Sequence, residues 1–118
     1  MPAKPLLPVL AMLFAALMAT AVHAQFTGPS VTGRETTAAN VANARVGSYV
    51  TLTGNIVTHL REEYFMFRDA SGEVRVEIDN DLWQGRKVSP ETRVRLLGEV
   101  ERSIKGRYID VKTLEILN

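Results

Sequence analysis

Between residues 63 and 79 the chain alternates twice, and the two runs mirror each other across Ala70-Ser71-Gly72. In the first run Phe65 and Phe67 share one face, with Tyr64, Met66 and Arg68 on the other. In the second, Val74, Val76 and Ile78 share a face, with Arg75, Glu77 and Asp79 opposite. Successive side chains of a strand point to opposite faces, so a period of two on both sides of a glycine turn predicts a β-hairpin.

The same period recurs elsewhere. Residues 49–53 put Val50 and Leu52 on one face, Gly54 interrupts them as a bulge or sharp bend, and a strand resumes over 56–60. Residues 92–101 align Val94, Leu96, Gly98 and Val100, and 107–117 align Ile109 and Val111 after a polar turn at 103–106. Two segments break the alternation. Residues 36–45, rich in alanine, predict a short helix of about two turns, capped by Thr36 or Thr37 and turning Val41 and Ala44 to a core. Residues 80–90 predict one helical turn carrying Leu82 and Trp83, capped by Asn80 or Asp81 and ended by Gly85 and Pro90.

Five short strands must hide their edges, and a small barrel does so with least chain. A first strand bent at a glycine suits a sheet that curls back on itself, since that strand must serve both halves. The expected fold is all-β: a five-stranded OB-fold barrel with a short N-terminal helix and a short helical insert between strands three and four. An SH3-like barrel, the competing answer, lacks that insert.

The first 24 residues are chemically different from the rest. Lys4 is their one charge, and 6–22 is apolar apart from Pro8 and Thr20. Val22-His23-Ala24 matches a signal-peptidase site, so 1–24 is expected to be a secretory signal cleaved after Ala24. Its longest unbroken apolar run, residues 9–19, is short of the roughly 20 residues a transmembrane helix needs. Residues 25–35 read as a flexible N-terminal segment and 36–118 as the domain. Without Lys4, 13 of the 14 basic residues face 13 acidic ones, and no strongly basic nucleic-acid binder has that balance. Zero cysteine excludes thiol catalysis, cysteine-ligated zinc and iron–sulfur clusters, and leaves packing alone to hold the domain together.

Several short pieces, in order, resemble a known family. Gly54-Asn55-Ile56, Phe67-Arg68-Asp69-Ala70-Ser71-Gly72 and Val76-Glu77-Ile78-Asp79 followed by Trp83 are among them. Val88-Ser89-Pro90, Gly98-Glu99-Val100-Glu101, Ile109-Asp110-Val111 and Phe26-Thr27-Gly28-Pro29-Ser30 complete the set. Together they resemble the bacterial OB-fold (BOF) family, with its YgiW/YdeI-type periplasmic stress-tolerance proteins. The resemblance implies an exported, periplasmic, non-enzymatic binding protein linked to envelope stress, with no cofactor and no catalytic residue to carry over. Residues 62–66 depart from the family pattern, so the first inter-strand loop is individual.

The residues themselves point the same way. His59 is the sole histidine after the leader, and nothing positions a nucleophile or a zinc ligand set beside it. On the outward face of the hairpin one aromatic, Tyr64, and two arginines are offset by Glu77 and Asp79, so no nucleic acid is expected. The carboxylates carry more interest. Glu77 and Asp79 share a strand face, Glu99 and Glu101 share another, and Asp110 lies on the fifth strand. If these faces adjoin, they and Trp83 would hold an ammonium, a guanidinium or a divalent cation. The bland alternative makes them solvated positions paired with Arg75, Arg93, Arg95 and Arg107, with Trp83 plugging the barrel end and Asp79 capping the turn after it. The candidate ligand residues are Tyr64, Arg75, Glu77, Asp79, Trp83, Glu99, Glu101 and Asp110, with no metal site. The expected ligand is a small cation, a peptidoglycan fragment or another envelope component. The alternative is a protein-interaction module that docks an outer-membrane or periplasmic protein.

Overall fold

The alternating runs become strands in a computed structural model that describes residues 33–118. The expected leader and residues 25–32 lie outside the described residues. Six strands form one sheet: β1 (Arg34–Glu35), β2 (Tyr49–Arg61), β3 (Tyr64–Asp69), β4 (Gly72–Glu77), β5 (Arg93–Ser103) and β6 (Gly106–Ile116). Their order is β1-β2-β3-β4-β6-β5, and β2 also pairs with β5, so the sheet closes on itself. Strands β2 to β6 are the five-stranded OB-fold barrel. Arg34 and Glu35, from the segment read as flexible, pair in parallel with Val50 and Thr51.

Strand β2 makes closure possible. Over its 13 residues it pairs with β5 from Tyr49 to Asn55 and with β3 from Asn55 to Arg61. Gly54 stands at the changeover. A Cβ there would run into the Arg68 carbonyl oxygen and the Phe67 ring, so glycine serves a close approach of strands. The irregularities of register in β2 come after it, between Ile56 and Thr58 and between His59 and Arg61.

Strands β2 to β6 each contribute their apolar alternation to one core, centred on Leu52, Phe67, Val76, Val94, Leu96 and Ile109. Among the described residues no polar or charged residue is buried as a whole, although one side-chain atom, Arg75 Nε, is buried without a hydrogen-bond partner. One inward residue departs from simple alternation. Leu97 pairs with Thr113 and Gly98 with Val111, leaving Lys112 as an extra residue that flips the phase of β6 and turns Leu114 inward.

Both helical segments are single 3-10 turns. The first, Ala39–Asn43, buries Val41 fully and packs Ala44 against the core, but it is shorter than the two turns expected. Its cap also differs, because neither threonine supplies it. The Ala38 N–H donates to Asp69 Oδ2 at 2.9 Å and the Ala39 N–H to Ser71 Oγ at 3.0 Å, so the β3–β4 turn caps the helix from across the barrel. In the second, Asn80–Trp83, Asp79 is the cap and accepts from the Asp81 N–H at 2.9 Å.

Partial burial raises the Asp69 carboxyl, but hydrogen bonds from the Ser71 hydroxyl and the Ala38, Ser71 and Gly72 N–H groups outweigh it and hold the group below the usual carboxylate range. A depressed folded-state pKa stabilises the fold above the unfolded value, and that contribution is lost as pH falls through the folded one. Asp69→Ala is expected to cost about 1–2 kcal/mol at neutral pH in thermal melts. The deficit should shrink as acid protonates Asp69 in the parent protein. An equal deficit at all pH values would show that the carboxylate charge plays no part.

Candidate functional site

Register decides which outward side chains become neighbours. Glu77 on β4 stands opposite Tyr64 on β3 and Asp110 on β6. Asp110 in turn faces Glu99 on β5, and Glu99 faces Tyr49 on β2. Three carboxylates therefore occupy successive strands of one row, roughly 5 Å apart by the spacing of a sheet, with a tyrosine at each end. Glu101 lies one row away, opposite Tyr108.

Few cations answer this row. Lys112 Nζ reaches Asp110 Oδ2 at 3.0 Å, a hydrogen bond that raises the lysine. Among the described residues Glu77, Glu99 and Glu101 have no ion pair. Partial loss of solvent pushes the Glu77 carboxyl up, and the neighbouring charges of Asp110, Glu63 and Asp79 add to it against Arg75. Burial likewise raises Tyr108, helped by Tyr64, Glu77, Glu101 and Asp110.

Of the four arginines considered as partners, Arg95 pairs elsewhere, with Glu115 at 2.8 Å. Arg107 donates through Nε to the Ala44 carbonyl at 2.7 Å. The Arg75 guanidinium lies 5.2 Å from the Tyr64 ring centroid and 4.7 Å from that of Tyr108, and Nη2 donates to Ser103 Oγ at 2.6 Å. Two tyrosines flank this cation beside the row.

The row thus gathers Tyr64, Glu77, Asp110 and Glu99, with Arg75 and Glu101 beside it, one row away. Two of the expected residues do other work. Asp79 caps the second 3-10 turn, although its charge is felt by Glu77. Trp83 packs against the core and meets Phe65 edge-on at 5.3 Å between ring centroids. Among the described residues no three histidine, aspartate or glutamate side chains converge as a metal site. His59 has no relay either: its Nε2 partners the Glu62 carbonyl oxygen at 2.8 Å and its ring stacks on Phe65 at 4.7 Å.

Sequence reasoning missed a second feature. A groove of about 720 Å³ crosses the outer face of β3 and β4, with Tyr64, Met66 and Arg75 in its lining. The β2–β3 hairpin contributes Leu60 and Arg61 to it, and the β5–β6 hairpin contributes Lys105 and Arg107. Its one signal in the sequence is a basic residue beside an apolar one at each of two hairpin ends, Leu60-Arg61 and Ile104-Lys105.

The profile of the family described as "Bacterial OB fold (BOF) protein" matches residues 15–116. The chain belongs to the BOF family. Protein YgiW of Escherichia coli K12 is 36% identical to this BOF protein over 121 residues, covering 93% of this chain and 92% of that one. "Calcium-regulated OB-fold protein CarO" of Pseudomonas aeruginosa is 38% identical over 94 residues, covering 80% of this chain and 81% of its own. The solved structure of E. coli YgiW superposes with a TM-score of 0.68, matching 80% of this chain and 100% of that one. The resemblance carried by the short motifs is therefore a family relationship, and this BOF protein is an OB-fold protein. Among its described residues no helix is long and apolar enough to cross a membrane.

Proposed function

We propose that the protein is an exported, periplasmic binding module in envelope stress tolerance, and that its ligand is an extended organic cation laid along the carboxylate row. The observation that carries this reading is the register Glu77–Asp110–Glu99, three acidic side chains on neighbouring strands with one lysine among them. A hard divalent ion needs several oxygens converging on one point, and a strip of carboxylates spread across three strands serves it poorly. A polyamine or a cationic peptide has its charges in a line and meets such a strip without any convergence. Tyr64 and Tyr49 at the ends offer π faces to a terminal ammonium or guanidinium. The raised Glu77 carboxyl supports the same reading, since crowded carboxylates gain most when a cation arrives. CarO is named for regulation by calcium, and calcium is therefore the natural competitor to include.

Calorimetric titration at low salt with spermidine, with a lysine-rich peptide and with calcium tests the reading. The organic cations are expected to bind, and Glu77→Gln combined with Glu99→Gln to weaken them about tenfold or more, with salt weakening the parent complex too. Glu77→Gln should also raise the melting midpoint at neutral pH. A carboxyl whose folded pKa is raised loses stability as pH climbs from its unfolded value through its folded one, and the amide escapes that loss. Absence of heat with both organic cations, or saturable binding of calcium alone, would sink the reading.

A further inference from the structure

Two large hydrophobic side chains among the described residues stand in solvent: Leu60, 43% exposed, and Ile104, fully exposed. Scattered exposed leucines are ordinary on any protein surface. These two are not scattered. Leu60 lies near the end of β2 and Ile104 in the turn between β5 and β6, and the two hairpin tips border one groove. Cations accompany both. Arg61 follows Leu60, Lys105 follows Ile104, and Arg102 and Arg107 flank the second tip.

Acidic residues nearby are partly occupied. Glu73, in the groove lining, accepts from Arg68 Nε at 2.8 Å, and Glu63 accepts the Asn80 N–H at 3.0 Å. Glu62 and Glu63 at the first tip and Glu101 beside the second stand against these four cations. The tips carry a small excess of cations, and the carboxylate row begins beside them, at Glu77 opposite Tyr64.

We propose that the two tips dock the domain on an anionic phospholipid surface, with Ile104 and Leu60 entering the headgroup boundary and Arg61, Arg102, Lys105 and Arg107 meeting lipid phosphates. Charge complementarity and the apolar prongs select this occupant together. A small free anion would satisfy the cations and leave a fully exposed isoleucine without a role. An interfacial bilayer layer takes both, apolar groups just below and basic groups at the phosphates. Each basic residue near such a surface is worth about a fivefold gain in partitioning, so four of them and two shallow prongs give reversible, salt-sensitive attachment. This surface meets the carboxylate row at Tyr64 and Arg75, but its prongs and cations are other residues, and its test does not depend on that row binding anything.

Flotation with lipid vesicles reads it out. Residues 25–118 are the suitable protein, because the apolar leader would bind vesicles by itself. That piece contains the whole closed barrel and its core, and the solved YgiW chain is matched in full by 80% of this one. The protein is expected to float with vesicles of phosphatidylcholine and phosphatidylglycerol in equal parts at low salt, and to stay behind with phosphatidylcholine alone. Ile104→Ser should weaken attachment about tenfold, and Arg61→Glu with Lys105→Glu about 25-fold or more, with melting midpoints unchanged. Free glycerol phosphate in excess should fail to release the protein. Equal attachment to neutral vesicles, no attachment at low salt, full release by glycerol phosphate, or parent-like attachment of Ile104→Ser would each overturn the proposal.

Discussion

Gly98→Ala is expected to destabilise the domain by about 3 kcal/mol and to lower its melting midpoint by roughly 12 °C or more. Gly98 sits on β5 between Val50 of β2 and Val111 of β6, inside both ladders that β5 makes. A methyl group there would fall 2.8 Å from the Asp110 carbonyl oxygen and closer still to Ile109 Cγ2. Neither neighbour is the free end of a flexible side chain. Ile109 is fully buried, and the Asp110 backbone is held between β4 and β5. Relief requires β6 to move as a strand, and the middle of the carboxylate row moves with it. Binding of an organic cation should therefore weaken in this variant although every carboxylate is still present. A melting midpoint within two or three degrees of the parent would show that β6 yields easily and that the row is looser than its register implies.

Phe67→Ala should cost a similar amount, about 3–5 kcal/mol, through a different mechanism. Phe67 is completely buried, stands opposite Ile56 and Val74, and is the largest fully buried side chain among the described residues. Its ring tip lies 2.7 Å from where a Cβ on Gly54 would be, so the phenylalanine fills the space that the glycine leaves. Removing the ring loses its transfer free energy and leaves a cavity at the point where β2 changes partners. Against a total stability of about 5–15 kcal/mol for a domain of this class, a visible unfolded fraction at room temperature is the expected result. Urea denaturation should show a lower midpoint with an unchanged slope, whereas Met66→Ala, next door on the outward face, should shift far less. Equal losses at the two positions would mean that the inward and outward faces of β3 have been misassigned.

Features that depend on one strand at a time were legible in the sequence. The faces of β3 and β4 follow from alternation alone, because a half-buried sheet forces Phe67, Val74 and Val76 inward and Arg75 and Glu77 outward. The insert, the packing of Trp83 on the core and the glycine of a strand serving both halves followed from composition breaks. What escaped depends on residues far apart in sequence. Leu114 turns inward because one extra residue, Lys112, shifts β6 against β5, and the partner strand decides that shift. The first 3-10 turn is capped by Asp69 and Ser71, about 30 residues away, so a local search for a threonine cap had no access to it. The site behaves the same way. Glu77, Glu99 and Asp110 were identifiable as outward carboxylates, but their meeting in one row is a statement about three pairings. A near-neutral total charge also concealed the carboxylate row, since a sum carries no address.

The double pairing of β2 has a consequence for how the chain acquires its structure. Tyr49 must find Glu99, and Val76 must find Ile109, before the barrel is closed. Contacts of such long sequence separation form late and slowly, because the entropy of a large loop is lost before any contact repays it. The β3–β4 hairpin is able to form early, but its apolar face stays open until the last hairpin arrives from the C-terminal end. A nascent polypeptide that still lacks β5 and β6 therefore has neither partner with which to close the barrel.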